Sequence, residues 1–193
     1  MPFEDGALYM TVPGAVVIDS CDYVQTKSLT KKLAEYPKLS YMRLIRKNFK
    51  TIYADGSEFE IGKGVTLKEG KDVTIIASGI MLDEALRAEE ILSAEGISAR
   101  VIDMHTWKPI DEELICKAAE ETGCIVTAEN HQVGCGLGSA VANVLVANKP
   151  VPMERVGIQD RFGQVGPQDF LMKEYNLMAE DIVEAVKKVI SRK

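Results

Sequence analysis

The chain has 193 residues, 46% of them hydrophobic and 27% charged, which supplies a packed core for one domain and part of another and argues against disorder. Its formal net charge of -6 gives no electrostatic footprint for nucleic acid or for an anionic membrane. No apolar run reaches the length of a membrane span and no signal peptide opens the sequence, so a cytoplasmic protein is expected.

In chain order, Val16-Val17-Ile18 is a short β-branched strand, and Asp19-Ser20 supplies a polar stop before a helix from about Asp22 to Tyr36, closed by Pro37. Tyr41 to Ile45 is the next strand. Nothing follows to complete a sheet, so residues 1–48 are expected to be the tail of a larger domain. From Phe49 to Gly70 glycines interrupt short alternating segments; this is the expected linker, with Asp55-Gly56 as a hairpin turn and a small ribbon as its pairing.

Beyond it, strand and helix alternate. Strands are expected at Val73–Ala77, Ala99–Asp103, Cys124–Ala128 and Val151–Ile158. Helices are expected from Met81 to Glu95 with Gly96 as the stop, from Asp111 to Glu121 with Gly123 as the cap, from Gly138 to Ala147, and from Ala179 to the basic C-terminus. The alternation predicts an α/β fold, a mostly parallel sheet with helices on both faces. The stripe Ile182, Val183, Val186 and Ile190 of the last helix reads as core or interface.

The densest polar stretch runs from Thr127 to Ser139 and reads as the end of a buried strand, a short polar tip and a glycine-cushioned start of a helix. Gly134-x-Gly136-x-Gly138 departs from the dinucleotide spacing and follows the third strand of its unit, which favours close helix-to-sheet packing over a nucleotide site. Glu129 and His131 are an acid/base pair in one reading. In the other, which is preferred, Glu129 satisfies loop N–H groups and His131 meets a neighbouring subunit, since no nucleophile accompanies them. His105 fits a packed loop leading to the helix cap at Asp111. Cys21, Cys116, Cys124 and Cys135 form no C-x-x-C pair, so reduced thiols and no metal site are expected. Arg43, Arg46 and Lys47 end the early strand as either a phosphate grip or a solvated basic rim. On the long connection after the fourth strand, Arg161 is expected to ion-pair within the loop while Phe162 anchors it.

Four segments in order carry a resemblance: Pro2-Phe3-Glu4-Asp5-Gly6-Ala7-Leu8 with Val12-Pro13-Gly14, Met104-His105-Thr106-Trp107-Lys108-Pro109-Ile110-Asp111, the Thr127 to Ser139 stretch, and Asp160-Arg161-Phe162-Gly163. Together they resemble the transketolase-like, thiamine-diphosphate-dependent family, most closely the C-terminal part of a transketolase. The resemblance implies a pyrimidine-binding-domain remnant over 1–48, a linker over 49–70 and a transketolase C-terminal-like domain over 71–193. It further implies transfer of a two-carbon ketol unit between ketose and aldose phosphates by an enzyme holding thiamine diphosphate and Mg, as in the pentose phosphate pathway.

The family's cofactor-binding glutamate and its histidine-rich segment would lie before Met1. The chain alone is therefore expected to bind no cofactor, to supply no catalytic residue and not to turn over. An N-terminal transketolase subunit or domain and a second copy in a homodimer are the implied partners. Within Leu44-Ile45-Arg46-Lys47-Asn48, Arg46 matches the arginine that grips the substrate phosphate. A deoxyxylulose-phosphate synthase, the β-subunit of a 2-oxo acid dehydrogenase, and a non-catalytic assembly or regulatory module binding at the 129–138 edge are the competing readings.

Overall fold

The computed structural model describes residues 2–47 and 49–193. Helix α1 (Asp5–Met10) leads into β1 (Val16–Asp19), α2 (Tyr23–Ala34) and β2 (Ser40–Arg43). Asp22 starts α2 by accepting the Gln25 N–H at 2.8 Å, the ordinary way to satisfy a helix's first free donors. Strand β1 pairs in parallel with β2. On its other side it pairs antiparallel with β6 (Thr106–Lys108), a strand contributed from far along the chain. The segment around Trp107, read from sequence as a loop, is thus the third strand of this small sheet. Three residues give too short a pattern to announce a strand, and only the long-range partner defines it.

The larger sheet has five strands, in the order β3 (Val65–Lys68), β5 (Ala99–Asp103), β4 (Val73–Ala77), β7 (Ile125–Gln132) and β8 (Met153–Ile158). All neighbours are parallel except β3, which runs antiparallel along the edge at β5. The ribbon expected between Phe49 and Gly70 does not form. Asp55-Gly56 makes a turn without flanking strands, and Val65–Lys68 spends its hydrogen bonds on the main sheet.

Side chains alternate across this sheet as the pleat requires. Ile75, Val101 and Val126 face one layer with α3 (Met81–Ala94) and α7 (Ala179–Ile190); Ile76, Ile102 and Ile125 face the other with α4 (Glu112–Thr122) and α5 (Leu137–Asn148). This is the two-faced, mostly parallel arrangement that the alternation predicts. Asp111 caps α4 by accepting the Leu114 N–H at 3.2 Å, and Gly123 ends it with φ 70°. Buried Glu84 of α3 accepts the Ala179 N–H at 2.8 Å, tying the start of α7 to its neighbour. A third apolar cluster, with Val16, Ile18, Val24, Leu29 and Phe59, binds α2 to β1. Helix α6 (Gln168–Glu174) was not expected from sequence; its seven residues follow Pro167 and leave only Met172 buried.

At Gly70 the backbone passes so close to the edge of β5 that a Cβ would overlap the Ala99 carbonyl carbon and the Arg100 nitrogen. Gly56 has open space around it, with φ +87°. Gly70→Ala is expected to lose about 3 kcal/mol of unfolding free energy through overpacking against rigid backbone. Gly56→Ala is expected to lose about 1 kcal/mol, from the left-handed φ alone. Urea denaturation of the two variants checks the difference.

Candidate functional site

Strand order places β5 on one side of β4 and β7 on the other, so the crevice at the carboxyl ends of β4 and β7 is the switch point where open α/β sheets usually take a ligand. Here the chain's own first residues fill it. Asp19, at the end of β1, accepts the Ser78 hydroxyl at 2.9 Å; Ser78 Oγ in turn accepts the Trp107 Nε1–H at 3.0 Å. The Asp19 carbonyl accepts the Gly79 N–H at 3.2 Å, and a Cβ at Gly79 would overlap the Asp19 carboxylate. Glycine at 79 is thus required twice, by φ +54° and by that approach.

The charge of Asp19 is matched by Arg43, the last residue of β2. Arg43 Nη1 lies 3.3 Å from Asp19, Nε donates to Asp5 at 3.0 Å, and Nη2 donates to the Asn130 carbonyl at 2.9 Å. The guanidinium also sits 5.5 Å over the Trp107 ring. Burial outweighs Arg43 at Asp19 and raises its carboxyl above the ordinary range. At Asp5 burial pushes up, but Arg43 and the Tyr41 hydroxyl prevail and hold it low. Sequence reasoning grouped Arg43 with Arg46 and Lys47 as a phosphate grip or a basic rim. The structure separates them, burying Arg43 in this network and leaving the other two exposed. No local signal marks the difference, since the first three residues of β2 are all half-buried and only Arg43 is buried.

Glu129 and His131 belong to strand β7, which continues through Gln132 where the sequence suggested a polar tip. Glu129 accepts the Leu137 and Gly138 N–H groups, both at 2.7 Å, and so caps α5 from within the sheet. A Cβ at Gly136 would overlap Glu129 Oε2, and one at Gly138 would lie 2.9 Å from Glu129 Oε1, so these glycines admit the carboxylate. His131 donates from Nδ1 to the Gln132 carbonyl at 3.1 Å and accepts the Ala7 N–H on Nε2 at 3.4 Å. Burial lowers its pKa and keeps it neutral. The two side chains approach only to 3.8 Å, and each has its hydrogen-bonding atoms engaged by backbone. The neighbour of His131 is this chain's own α1 and not, as expected, another subunit. His105, also buried, donates from Nε2 to the Glu60 carbonyl at 3.1 Å.

Arg46 lines a different feature, a hollow of about 450 Å³ between the first turn of α2 and the segment after β2. Its lining includes Lys27, Lys47 and Asp22, with Leu44, Ile45 and Phe49 as the apolar part. Asn48 of the same motif lies outside the described residues. On the connection after β8, Arg161 pairs with Glu174 and donates to its carbonyl at 3.0 Å, as expected for an ion pair that closes the loop. Phe162 does not anchor that loop: its side chain is 98% exposed, and the anchor is Tyr175, whose hydroxyl donates to the Phe162 carbonyl at 2.7 Å.

A diphosphate held through a divalent cation needs several oxygen or nitrogen ligands gathered at one point. Among the described residues no three His, Cys, Asp or Glu side chains gather into a cation site. The buried carboxylates Asp19 and Glu129 are already held by Arg43, Ser78 and backbone N–H donors. No helix of the described residues is long and apolar enough to cross a membrane.

Residues 62–182 match the family model described as the C-terminal domain of transketolase. Among curated relatives, the 6-deoxy-6-sulfo-D-fructose transketolase subunit SqwH of Clostridium sp. (strain MSTE9) is 43% identical over 193 residues, covering 100% of this chain and 60% of the relative. A putative transketolase C-terminal section from Methanocaldococcus jannaschii is 44% identical over 95% of this chain and 58% of its own length. A solved structure described as a split gene transketolase, inactive β4 tetramer, superposes with a TM-score of 0.94 at 46% identity, covering 99% of this chain and 62% of that one. The chain thus spans about three fifths of the length of these two relatives.

Burial pushes the Glu129 carboxyl up to about 8 from 4.5, against the pull of its two N–H donors. Between those values the folded chain keeps a proton that the unfolded chain has released, so the stabilisation present at low pH is lost as pH rises toward 8. In urea denaturation, the unfolding free energy of the wild type minus that of Glu129→Gln is expected to fall between about pH 5 and about pH 9. A difference that grows with pH would mean that the N–H donors hold the anion.

Proposed function

We propose, from the premise that this chain belongs to the transketolase C-terminal domain family, that it serves as the C-terminal part of a transketolase working with an N-terminal subunit. The enzyme would transfer a two-carbon ketol unit between ketose and aldose phosphates. The observation that carries the reading is the near-complete superposition of the chain on a split-gene transketolase chain. The filled switch-point crevice supports a scaffold role: the place where this sheet would bind a ligand is taken up by Asp19 and Arg43. Thiamine diphosphate and Mg are assigned to the complete enzyme, with their ligands on the partner.

In this reading residues 1–48 are the closing remnant of a pyrimidine-binding domain, 49–70 the linker and 71–193 the C-terminal domain. A homodimer in the cytoplasm is the proposed assembly. Arg46 grips the anionic end of the substrate; its side chain is exposed on the hollow, and a planar guanidinium fork suits a phosphate. The description of the structural neighbour as an inactive β4 tetramer supports an inactive isolated chain here.

Mixing the chain with its N-terminal subunit, thiamine diphosphate and Mg is expected to give ketol transfer from xylulose 5-phosphate to ribose 5-phosphate. The chain alone should give no turnover, and cofactor should leave its Tm unchanged. Pyruvate consumption by the complex would overturn the assignment. Arg46→Ala in the complex is expected to raise KM for phosphorylated substrates about tenfold or more with kcat little changed, the loss of a charged hydrogen-bond pair.

A further inference from the structure

The Arg46 hollow has two walls, and they carry cations from separate parts of the chain. Arg46 and Lys47 come from the segment after β2, whereas Lys27 comes from α2 and is the cation of the opposite wall among the described lining residues. Lys27 lies four residues after Tyr23, on the same helix face. The Tyr23 hydroxyl donates to Asp55, so that its ring forms a fixed ridge beside the hollow. Tyr23 and Lys27 also border a second hollow of about 560 Å³, toward Lys31 and Lys32, so Lys27 stands where the two meet.

Some lysines of the chain have carboxylate partners, as Lys50 at 3.2 Å from Asp83, Lys63 at 3.2 Å from Glu113 and Lys188 at 2.9 Å from Glu154, whereas Lys31 and Lys32 of the neighbouring hollow have none among the described residues. Among the described residues, Lys27, Arg46 and Lys47 have none within ion-pair distance. The one carboxylate lining the hollow, Asp22, is already occupied. Its Oδ1 accepts the Gln25 N–H at 2.8 Å, and its Oδ2 accepts the Ile52 and Tyr53 N–H groups, each at 2.9 Å. The hollow therefore holds excess positive charge between an apolar floor and a tyrosine ridge.

We propose that Lys27 is a second anion-gripping residue of the Arg46 site, and that the two cations on facing walls select sugars ending in a phosphate over those ending in a sulfonate or a neutral hydroxyl. This rests on the reading that the Arg46 hollow takes the anionic end of the substrate. A phosphate monoester carries close to two charges at neutral pH, since its second pKa is about 6. A forked guanidinium takes two oxygens of such a group, and an ammonium from the other side neutralises the remaining charge as a point cation. A singly charged sulfonate is already matched by Arg46, so the second cation adds discrimination for the dianion. Lys27 is exposed, and its truncation removes no packing that the fold needs.

The test uses the complex with the N-terminal subunit, with ribose 5-phosphate, its sulfonate-terminated counterpart and glycolaldehyde as acceptors. Lys27→Ala is expected to raise KM for ribose 5-phosphate about tenfold, the cost of one charged hydrogen bond. It should leave kcat within about twofold and glycolaldehyde kinetics unchanged. Lys27→Arg should restore most of the loss. Lys31→Ala, which removes the same charge from the neighbouring hollow, should change neither. If Arg46→Ala weakens phosphorylated acceptors and Lys27→Ala does not, the second grip is overturned while the reading of Arg46 stands. If neither variant moves KM, the anion site itself falls. Equal effects of Lys27→Ala and Lys31→Ala would reduce the result to net charge, and a native preference for the sulfonate would overturn the selectivity; both sink the proposal.

Discussion

One buried guanidinium holds the two sheets of this protein in register. Arg43 reaches Asp19, Asp5 and the Asn130 carbonyl at once, joining β2, β1, α1 and β7 at a single point over the Trp107 ring. Removing one partner of such a buried set costs about 3–5 kcal/mol, because the charges left behind have no water to replace it. The specificity is geometric: a lysine carries one point of charge and would not span three acceptors in different directions. Around this point the glycines at 79, 136 and 138 give up their Cβ atoms so that carboxylates can approach backbone.

The structure thereby divides its polar residues into two populations. Those at the switch point, namely Asp19, Ser78, Glu129 and His131, are buried and answer to partners inside the chain. Those around Arg46 are exposed cations, and the one carboxylate lining their hollow is already consumed by backbone donors. An α/β sheet ordinarily places its chemistry at the first location. This one closes it and leaves its excess charge on the rim between α2 and the segment that follows β2.

Much of this was legible from residue order. The periodicity located β4, α3, β5, α4 and α5 to within a residue or two, since each has its own stop, as with Gly96 and Gly123. Helix α6 and the pairing of β3 were not, and three further features show why. Strand β6 is too short to show alternation and exists because β1 lies beside it. The continuation of β7 through Glu129 and His131 was hidden because polar residues usually mark a turn; here they stay in the strand because α1, Arg43 and the start of α5 supply their partners. By hydrophobicity Phe162 is the expected anchor, yet Tyr175 does the holding. In each case the deciding contact comes from a distant part of the chain, which local pattern does not carry.

The antiparallel pairing of β1 with β6 has a mechanical consequence. Because β6 follows β5 after only two residues, a strand of the small sheet is spliced directly into the large one. Together with the Asp19 plug, this joins the two sheets independently of the glycine-rich stretch from Phe49 to Gly70. The two sheets are therefore tied both by this pairing and by the Arg43 contacts, and the Arg46 rim hangs from the same β2 strand that carries Arg43.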